Sequence, residues 1–206
     1  MEDIGAQFRG TCPFCDKDNH FYSSKDWQYD CKSCMKRGNQ YSFIREIHKM
    51  FFRGDAPELS VLAELKGLSV RSLRECGVAY NPWNHSYIIP ASKNGEIVNL
   101  YKYVTTTNAI LASPGLPQAV MNWPETTEDT IWLLEGHWDR IACQTILGSS
   151  RPITPISVPG AGVFNPTWVQ LLRDKHVVLC YDNDEAGKLG MAAVVEKHLA
   201  TSPQKP

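Results

Sequence analysis

Residues 12–34 read CPFCDKDNHFYSSKDWQYDCKSC, and two pairs of cysteines frame this stretch. Each pair has the spacing C-x2-C, formed by Cys12 with Cys15 and by Cys31 with Cys34, and 15 residues separate the pairs. Two such turns can present four thiolates to one ion, and a tetrahedral set of thiolates is typical of zinc. A closed shell of four sulfur ligands leaves no position for a reactive water, so the pattern predicts one structural Zn²⁺.

The segment between the cysteine pairs predicts a strand, a turn and a second strand that are rich in aromatic residues. A module of about 45 residues buries too little apolar surface to fold unaided, and a bound zinc supplies the missing stability. The sequence therefore predicts a zinc ribbon. Lys25, Trp27 and Tyr29 follow a spacing of two, which places them on one face of a strand as a stacking platform for single-stranded bases. Alternatively, Trp27 and Tyr29 form the small core of the ribbon.

A basic segment follows the last zinc ligand. Residues 31–53 contain six Lys and Arg residues and one Glu, which leaves a net charge of +5. Apolar residues at helical spacing, among them Phe43, Ile44 and Ile47, predict a helix here. Its charges could follow a phosphate backbone, and an ordinary solvated helix explains them equally well. Gly and Pro within residues 53–57 predict the end of the first domain.

Length and composition exclude several classes of protein. The 206 residues correspond to one ordinary domain or two small ones, and 43% hydrophobic with 21% charged residues is globular and not disordered or fibrous. No apolar run approaches the ~18 residues of a membrane span, and the N-terminus lacks a secretory signal. We therefore expect a cytosolic protein, in which the odd number of seven cysteines indicates metal ligands or free thiols. A net charge of −1 over the whole chain does not indicate a polyanion as partner.

The second half of the chain alternates strand and helix patterns. The predicted strands are Thr130–Leu134, 152–158 and 177–181, and the predicted helices are 138–147, 166–174 and 185–199. This repetition predicts a parallel sheet with right-handed crossovers, in which ligands bind beyond the carboxyl ends of the strands.

Three carboxylates follow the ends of these strands. Glu135 comes directly after the first strand, and Asp182 and Asp184 follow the third. If the two strands are neighbours, these side chains converge and repel one another unless cations neutralise them. Mg²⁺ or Mn²⁺ is the natural partner of such an oxygen set. The alternative is that one aspartate only caps the helix that begins near Glu185.

These residues carry a family resemblance. The pattern Glu135-Gly136-x-x-Asp139 followed by Asp182-x-Asp184-x-x-Gly187 resembles the TOPRIM signature of primases, type IA and type II topoisomerases and some nucleases. A four-cysteine ribbon ahead of such a domain resembles a DnaG-type bacterial primase, or the primase half of bacteriophage primase–helicases. The all-cysteine ligand set is similar to that of the phage enzymes, whereas many bacterial primases replace one Cys with His.

The central segment agrees with this resemblance. A short helix is predicted between Ser69 and Gly77, and two strands flank Asn94-Gly95, a strong hairpin signal that is similar to the primase subdomain ahead of TOPRIM. The resemblance implies an α+β chain with an α/β part. Its domains are a zinc-ribbon template-binding domain in residues 1–53, the N-terminal subdomain of an RNA polymerase core in 57–125, and a TOPRIM catalytic domain in 126–206. The resemblance implies a TOPRIM domain that is incomplete in this sequence, because the family's domain continues with another strand and further acidic residues.

The resemblance implies a DNA primase, a nucleotidyltransferase that copies single-stranded DNA into short RNA primers. Glu135, Asp182 and Asp184 would be catalytic and hold Mg²⁺ or Mn²⁺, while Lys25, Trp27, Tyr29 and Lys102 would contact nucleic acid. Lys102 could neutralise a phosphate, or it could be an edge-strand lysine that discourages sheet pairing. The implied partners are the template, ribonucleoside triphosphates and a replicative helicase in cis or in trans, in the cytoplasm of a cell or of a phage host.

Two other functions remain open at this stage. A recombination mediator of the RecR type also combines four cysteines with a TOPRIM domain, and it binds DNA without catalysis. In that family, however, the cysteine module follows a helical segment, whereas here it begins at Cys12 and precedes a hairpin subdomain. A metal-dependent TOPRIM nuclease is the second alternative, and it requires neither the ribbon nor the hairpin.

Overall fold

The computed structural model describes residues 2–5, 7–53, 56–123, 128–147 and 152–201, with the side chains of 198–201 excepted. Within these ranges no helix has the length and apolar character needed to cross a membrane. The predicted domain boundaries lie at 53–57 and at 125–126. Residues 54–55 and 124–127 are outside the described part of the chain, so both boundaries stay predictions.

The N-terminal sheet is a ribbon of antiparallel strands in sequential order. Its strands are β1 (Glu2–Asp3), β2 (Gln7–Gly10), β3 (Phe21–Ser24), β4 (Gln28–Cys31) and β5 (Arg37–Asn39). The predicted strand–turn–strand is confirmed as β3 and β4. The other strands have two to four residues each, too short for an alternating pattern to reveal them. The rings of Phe14, Phe21 and Tyr29 fill the core, with Phe21 and Tyr29 stacked at 5.8 Å between centroids.

Helix α1 (Gln40–Phe51) joins the ribbon to the next sheet. It begins at Asn39, whose side-chain oxygen accepts a hydrogen bond from the Ser42 N–H at 3.0 Å. Phe43 packs into the aromatic core of the ribbon, 5.3 Å from the Tyr29 ring and 5.5 Å from the Phe14 ring. The next residue, Ile44, is buried in the core of the central sheet. The predicted helix is confirmed, and it belongs to two cores at once.

The central sheet is antiparallel and carries helices on both faces. Its strands are β6 (Ala79–Asn81), β7 (Ser86–Lys93), β8 (Glu96–Val104) and β9 (Ala109–Ala112), in that order, with α2 (Glu58–Lys66) and α3 (Val70–Glu75) preceding them. The hairpin turn at Asn94 and Gly95 has φ values of +52° and +77°, as the Asn-Gly signal predicts. Tyr101 and Tyr103 face helices α2 and α3 within one hydrophobic core, whereas Ile88 and Leu100 face α1.

The third sheet is parallel and has the strand order β11-β10-β12. Its strands are β10 (Thr130–Leu134), β11 (Ile153–Ser157) and β12 (His176–Cys180), and the helices are α4 (His137–Leu147) and α5 (Glu185–Thr201). Strands β10 and β12 are neighbours, with Leu134 opposite Cys180. The predicted parallel sheet is therefore confirmed. The middle helix is a 3₁₀ helix (Pro166–Leu171), shorter than predicted, with Asn165 as its cap.

Helix α4 ties the parallel sheet to the central sheet. The Arg140 guanidinium is buried and donates hydrogen bonds to the Cys76 thiol at 3.0 Å and to the Gln144 side chain at 2.5 Å. The His137 ring lies edge-on to the Tyr101 ring, with centroids 4.3 Å apart. These contacts fix the helix that follows Glu135, so the carboxyl edge of β10 has a set position against the central sheet.

A capping substitution tests the fold of the central subdomain. The Ser69 hydroxyl accepts a hydrogen bond from the Ser72 N–H at 3.0 Å and starts helix α3. We expect Ser69→Ala to lower the free energy of unfolding by about 1 kcal/mol, because an orphaned helix N–H loses its partner. Urea denaturation measures this. The control Arg71→Ala removes only an exposed ion pair with Glu75 and should change stability by less than about 0.5 kcal/mol; equal effects would contradict the capping role.

Candidate active site and zinc centre

The four cysteines meet at one end of the ribbon as a zinc site. The Sγ atoms of Cys12 and Cys34 are 3.9 Å apart, those of Cys15 and Cys31 are 3.8 Å apart, and all four lie within 4.8 Å of one another. A tetrahedron with Zn–S bonds of about 2.3 Å has sulfur–sulfur edges of about 3.8 Å. The donor set and its spacing therefore fit a structural Zn²⁺, as the sequence predicts.

Backbone amides prepare one of these thiols for deprotonation. The N–H groups of Ser33 and Cys34 point at the Cys31 Sγ from 3.4 and 3.5 Å. Burial raises the pKa of the Cys31 thiol, but these N–H groups, together with hydrogen bonds to the thiols of Cys12 and Cys34, outweigh it and lower the pKa. Burial dominates at Cys12 and raises the pKa of its thiol to about 12. The positive charge of a bound Zn²⁺ would overcome that cost.

The predicted acidic residues lie at the carboxyl edge of the parallel sheet. Glu135 follows β10 and Asp182 follows the neighbouring strand β12, and the Asp182 N–H donates to the Glu135 Oε2 at 3.1 Å. Asp184 precedes helix α5, and its Oδ1 accepts a hydrogen bond from the Gly187 N–H at 2.8 Å. Asp184 thus makes the capping contact that the alternative explanation requires. Glu135 and Asp182 are left without such an explanation.

Asp139 is a fourth carboxylate at this edge. It occupies the first turn of α4, and its Oδ2 would lie 2.6 Å from a Cβ atom at Gly136. Burial and the negative charge of Asp182 both raise the pKa of Asp139. The sequence contains Asp139 in the quoted signature, but it was not predicted as a site residue. Its place four residues after Glu135, in the first turn of a helix that follows a strand, is the signal that could have found it.

Glycine at 187 lets helix α5 approach the acidic loop. A Cβ atom at Gly187 would lie only 2.1 Å from the Asp182 carbonyl oxygen, so any side chain there would push the helix away. The edge brings together hard oxygen donors of one charge, which is the chemistry that Mg²⁺ or Mn²⁺ binds. The carboxylates are more spread than the thiols. Among the described residues, only the four cysteines are gathered closely enough to form a ready metal site.

The predicted stacking platform on the ribbon is wrong in its geometry. Strand β4 begins at Gln28, so Lys25 and Trp27 lie in the preceding turn and do not share a strand face with Tyr29. Tyr29 is buried in the ribbon core, as the alternative explanation expected. Trp27 has a φ of +60°, is 52% exposed, and lies against Gly115 of the central subdomain. A spacing of two residues does not show where a strand begins, and here β4 begins only at Gln28, after the turn that contains Lys25 and Trp27.

Lys102 does not lie on an edge strand. It belongs to β8, which pairs with β7 on one side and with β9 on the other, where Ile88 and Leu111 are its direct neighbours. The edge-strand explanation of this lysine is therefore wrong. Lys102 is half-buried on a central strand, and its contact with a phosphate stays a prediction.

Ion pairs neutralise part of the predicted basic segment. Lys32 pairs with Asp30, Lys36 with Glu46, and Arg45 with Glu96 on the central hairpin at 2.7 Å. Two of these three acids lie outside residues 31–53, so a count of charges along the chain could not anticipate the pairs. The positive charge available to a phosphate backbone is smaller than the sequence indicated.

The comparisons with known proteins agree with this architecture. Residues 1–74 match the model of the CHC2 zinc finger family, the zinc ribbon of DnaG-type primases. The N-terminal part of the chain is therefore similar to this zinc finger family, and its candidate metal site has four cysteines. No curated protein sequence matches the chain.

Solved primase structures share the fold of 65% to 96% of the chain. The primase fragment of the bacteriophage T7 primase–helicase protein matches with a TM-score of 0.55 and 16% identity over 96% of this chain and 86% of that one. The DnaG catalytic core matches with a TM-score of 0.60 and 16% identity over 77% and 66%. A structure of T7 lagging-strand DNA polymerase, interacting with primase domains bound to an RNA/DNA hybrid and dTTP, contains a match with a TM-score of 0.56 and 16% identity over 65% and 72%. At this identity the likeness is one of fold.

Removal of one ligand tests the zinc centre. We expect one zinc per chain in the purified protein and its loss, together with loss of ribbon structure, in Cys31→Ser, because three thiolates hold the ion far more weakly than four. Elemental analysis and release of zinc to a colorimetric chelator measure this. The control Cys180→Ser, in a cysteine of β12 away from the site, should keep its zinc; a zinc-loaded and folded Cys31→Ser would contradict the assignment.

A pH titration tests the acidic edge without any activity assay. Because the folded protein raises the pKa of Asp139, ionisation of this carboxyl costs stability that is present at low pH and lost as the pH rises through the folded pKa. Asp139→Asn should therefore raise the melting temperature above that of the wild type near pH 7 in a metal-free buffer. The gain should vanish below the unfolded pKa of about 4.

The control for this titration is Glu64→Gln, on the exposed face of α2. It should leave the melting temperature unchanged at both pH values. An Asp139→Asn variant that is no more stable than the wild type near pH 7 would show that burial and repulsion by Asp182 do not destabilise the charged Asp139 carboxylate.

Proposed function

We propose that the protein is a DNA primase that synthesises short RNA primers on single-stranded DNA. The observation that carries the proposal is the group of carboxylates Glu135, Asp182 and Asp184 at one edge of a parallel sheet. It occurs in a chain whose fold matches one primase fragment over 96% of its length.

Glu135, Asp182 and Asp184 would hold Mg²⁺ or Mn²⁺. Such ions lower the pKa of an attacking hydroxyl and neutralise the charge of a departing pyrophosphate. The chain contributes orientation: the Asp182 N–H holds the Glu135 carboxylate, and the Gly187 N–H holds the Asp184 carboxylate. Preset carboxylates need not reorganise when a nucleotide binds, which favours catalysis.

The ribbon would select the template, and the central sheet would hold it near the acidic edge. Lys25 lies exposed in the same turn as Trp27 and could contact a phosphate, while Tyr29 lies in the ribbon core and would act mainly by supporting the ribbon from within. Lys102 could contact a phosphate of the template or of the incoming nucleotide. The similar T7 structures belong to a primase–helicase protein and to primase domains bound to an RNA/DNA hybrid, which supports a helicase partner. The protein would act in replication in the cytoplasm.

A synthesis assay tests the function. The protein is incubated with single-stranded DNA, labelled ribonucleoside triphosphates and Mg²⁺ or Mn²⁺, and the products are separated on a denaturing gel. We expect short labelled oligoribonucleotides from the wild type and at least a hundredfold less from Asp182→Ala, because loss of a metal ligand removes the charge stabilisation of the transition state.

The variants Asp129→Ala and Cys12→Ser complete this assay. Asp129 precedes β10 at the opposite end of the sheet, so its removal should leave product formation unchanged. Cys12→Ser should abolish initiation on a bare template and spare extension of a supplied primer, since the ribbon does not touch the chemistry. Equal product from Asp182→Ala and the wild type would refute the proposed site. DNA binding without synthesis would favour a mediator, and DNA cleavage without synthesis a nuclease.

A further inference from the structure

A cavity of about 320 Å³ lies at the junction of the ribbon and the central subdomain. Both parts contribute to its walls. The ribbon and α1 contribute Trp27, Gln28, Tyr29 and Gln40, among others, and the loop after β9 contributes Ser113 and Leu116. The cavity therefore exists only while the ribbon is seated on the central sheet. Its volume is within the range of small-ligand sites, at the lower end.

Trp27 closes the cavity across the junction. A Cβ atom at Gly115 would lie 2.4 to 2.8 Å from three atoms of the Trp27 ring, so the indole rests directly on the glycine backbone. Gly115 has a φ of +74°, which glycine adopts without strain. The same indole is 52% exposed, so much of its surface stays free to contact a ligand. The tryptophan is both a wall of the cavity and an open stacking surface.

The chemistry of the walls selects an uncharged planar ligand. None of the described lining residues carries a charge, and besides the rings of Trp27 and Tyr29 the side chains with polar groups are two serines and two glutamines. Hydroxyl and carboxamide groups are the side chains that hydrogen-bond the edges of bases, and aromatic rings stack on their faces. A phosphate would find no cation inside the cavity. A cation is available just outside, because Lys25 is exposed in the same turn as Trp27.

We propose that this junction cavity binds one nucleobase of the single-stranded template, stacked on Trp27 with its edge facing Gln28, while its phosphates stay outside near Lys25. The inference rests on the proposed template-binding function and goes beyond it. It assigns the base to a pocket that ribbon and central subdomain build together, and not to the outer face of the ribbon. Base insertion would then favour the seated ribbon, because the ligand contacts both parts.

Binding to two single-stranded probes tests the cavity. One is a fluorescently labelled deoxyoligonucleotide of twelve nucleotides and mixed sequence, and the other is the same sugar–phosphate backbone with abasic units throughout. Fluorescence anisotropy of the full chain at low salt gives the dissociation constants. We expect Trp27→Ala to weaken binding of the base-bearing probe about tenfold, since stacking on an aromatic side chain is lost. Binding of the abasic probe should change less than twofold.

The matched control is Trp83→Ala. Trp83 is 56% exposed and contacts Phe51, so it resembles Trp27 in exposure but lies outside the junction cavity. It should leave the binding of both probes unchanged. Zinc content is measured for each variant to show that the ribbon is intact.

A second variant decides the matter if Trp27→Ala disturbs the ribbon. Gln28→Leu changes an exposed side chain at the start of β4 and leaves the contact of Trp27 with Gly115 in place. Its binding is measured with four further probes, each a deoxyoligonucleotide of twelve nucleotides with a single kind of base. Gln28→Leu should alter the order of affinities for these four probes and leave the affinity for the abasic probe unchanged. The proposal would be overturned if Trp27→Ala weakened the binding of the base-bearing and the abasic probe equally. It would also be overturned if neither variant changed the binding of base-bearing probes. Asp182-dependent primer synthesis would then still support the proposed function, which fails separately if the wild type makes no such product.

Discussion

Helix α1 carries the constraint on which the arrangement of the N-terminal half depends. Phe43 packs against both the ribbon core, which zinc closes, and the core of the central sheet, and the next residue, Ile44, is buried in that second core. A helix cannot rotate to satisfy one core without withdrawing from the other, because neighbouring side chains are about 100° apart around its axis. The orientation of the ribbon is therefore set by the helix and does not depend on a loose tether. The Trp27 contact with Gly115 adds a second point of support.

Zinc and α1 act on the same small core. The ribbon contains few apolar side chains, and four aromatic rings, those of Phe14, Phe21, Tyr29 and Phe43, lie within 6.4 Å of one another as centroids. One of the four is supplied by the helix. Without metal the strands lose their ligand turns, and without the helix the rings lose a wall, so metal binding and docking of the ribbon support each other.

Local chemistry explains why some features could be read from the sequence. Three features depend on residues that are neighbours in the chain: the two C-x2-C pairs, the Asn-Gly turn and the strands of the parallel sheet. The structure has each of them where the sequence predicts it. The misplaced platform around Trp27 and the edge-strand explanation of Lys102 depend instead on partners far away. Gly115 is remote from Trp27 in sequence, and the strand that makes β8 central, β9, is a short segment of four residues. Periodicity carries no information about such partners.

The acidic edge combines local and distant effects. Asp184 caps α5, and Asp139 sits in the first turn of α4, so the amino ends of two helices face the same carboxylates. Helix N-termini stabilise negative charge, by up to about 2 kcal/mol in partly buried geometries. Even so, the pKa of Asp139 is raised because burial and Asp182 outweigh this support. Capping accounts for Asp184, and Glu135 accepts a hydrogen bond from the Asp182 N–H, whereas the Asp182 carboxylate adds negative charge beside Asp139. Such an edge keeps an excess of negative charge in the free protein, and divalent cations bound by these oxygens would remove it.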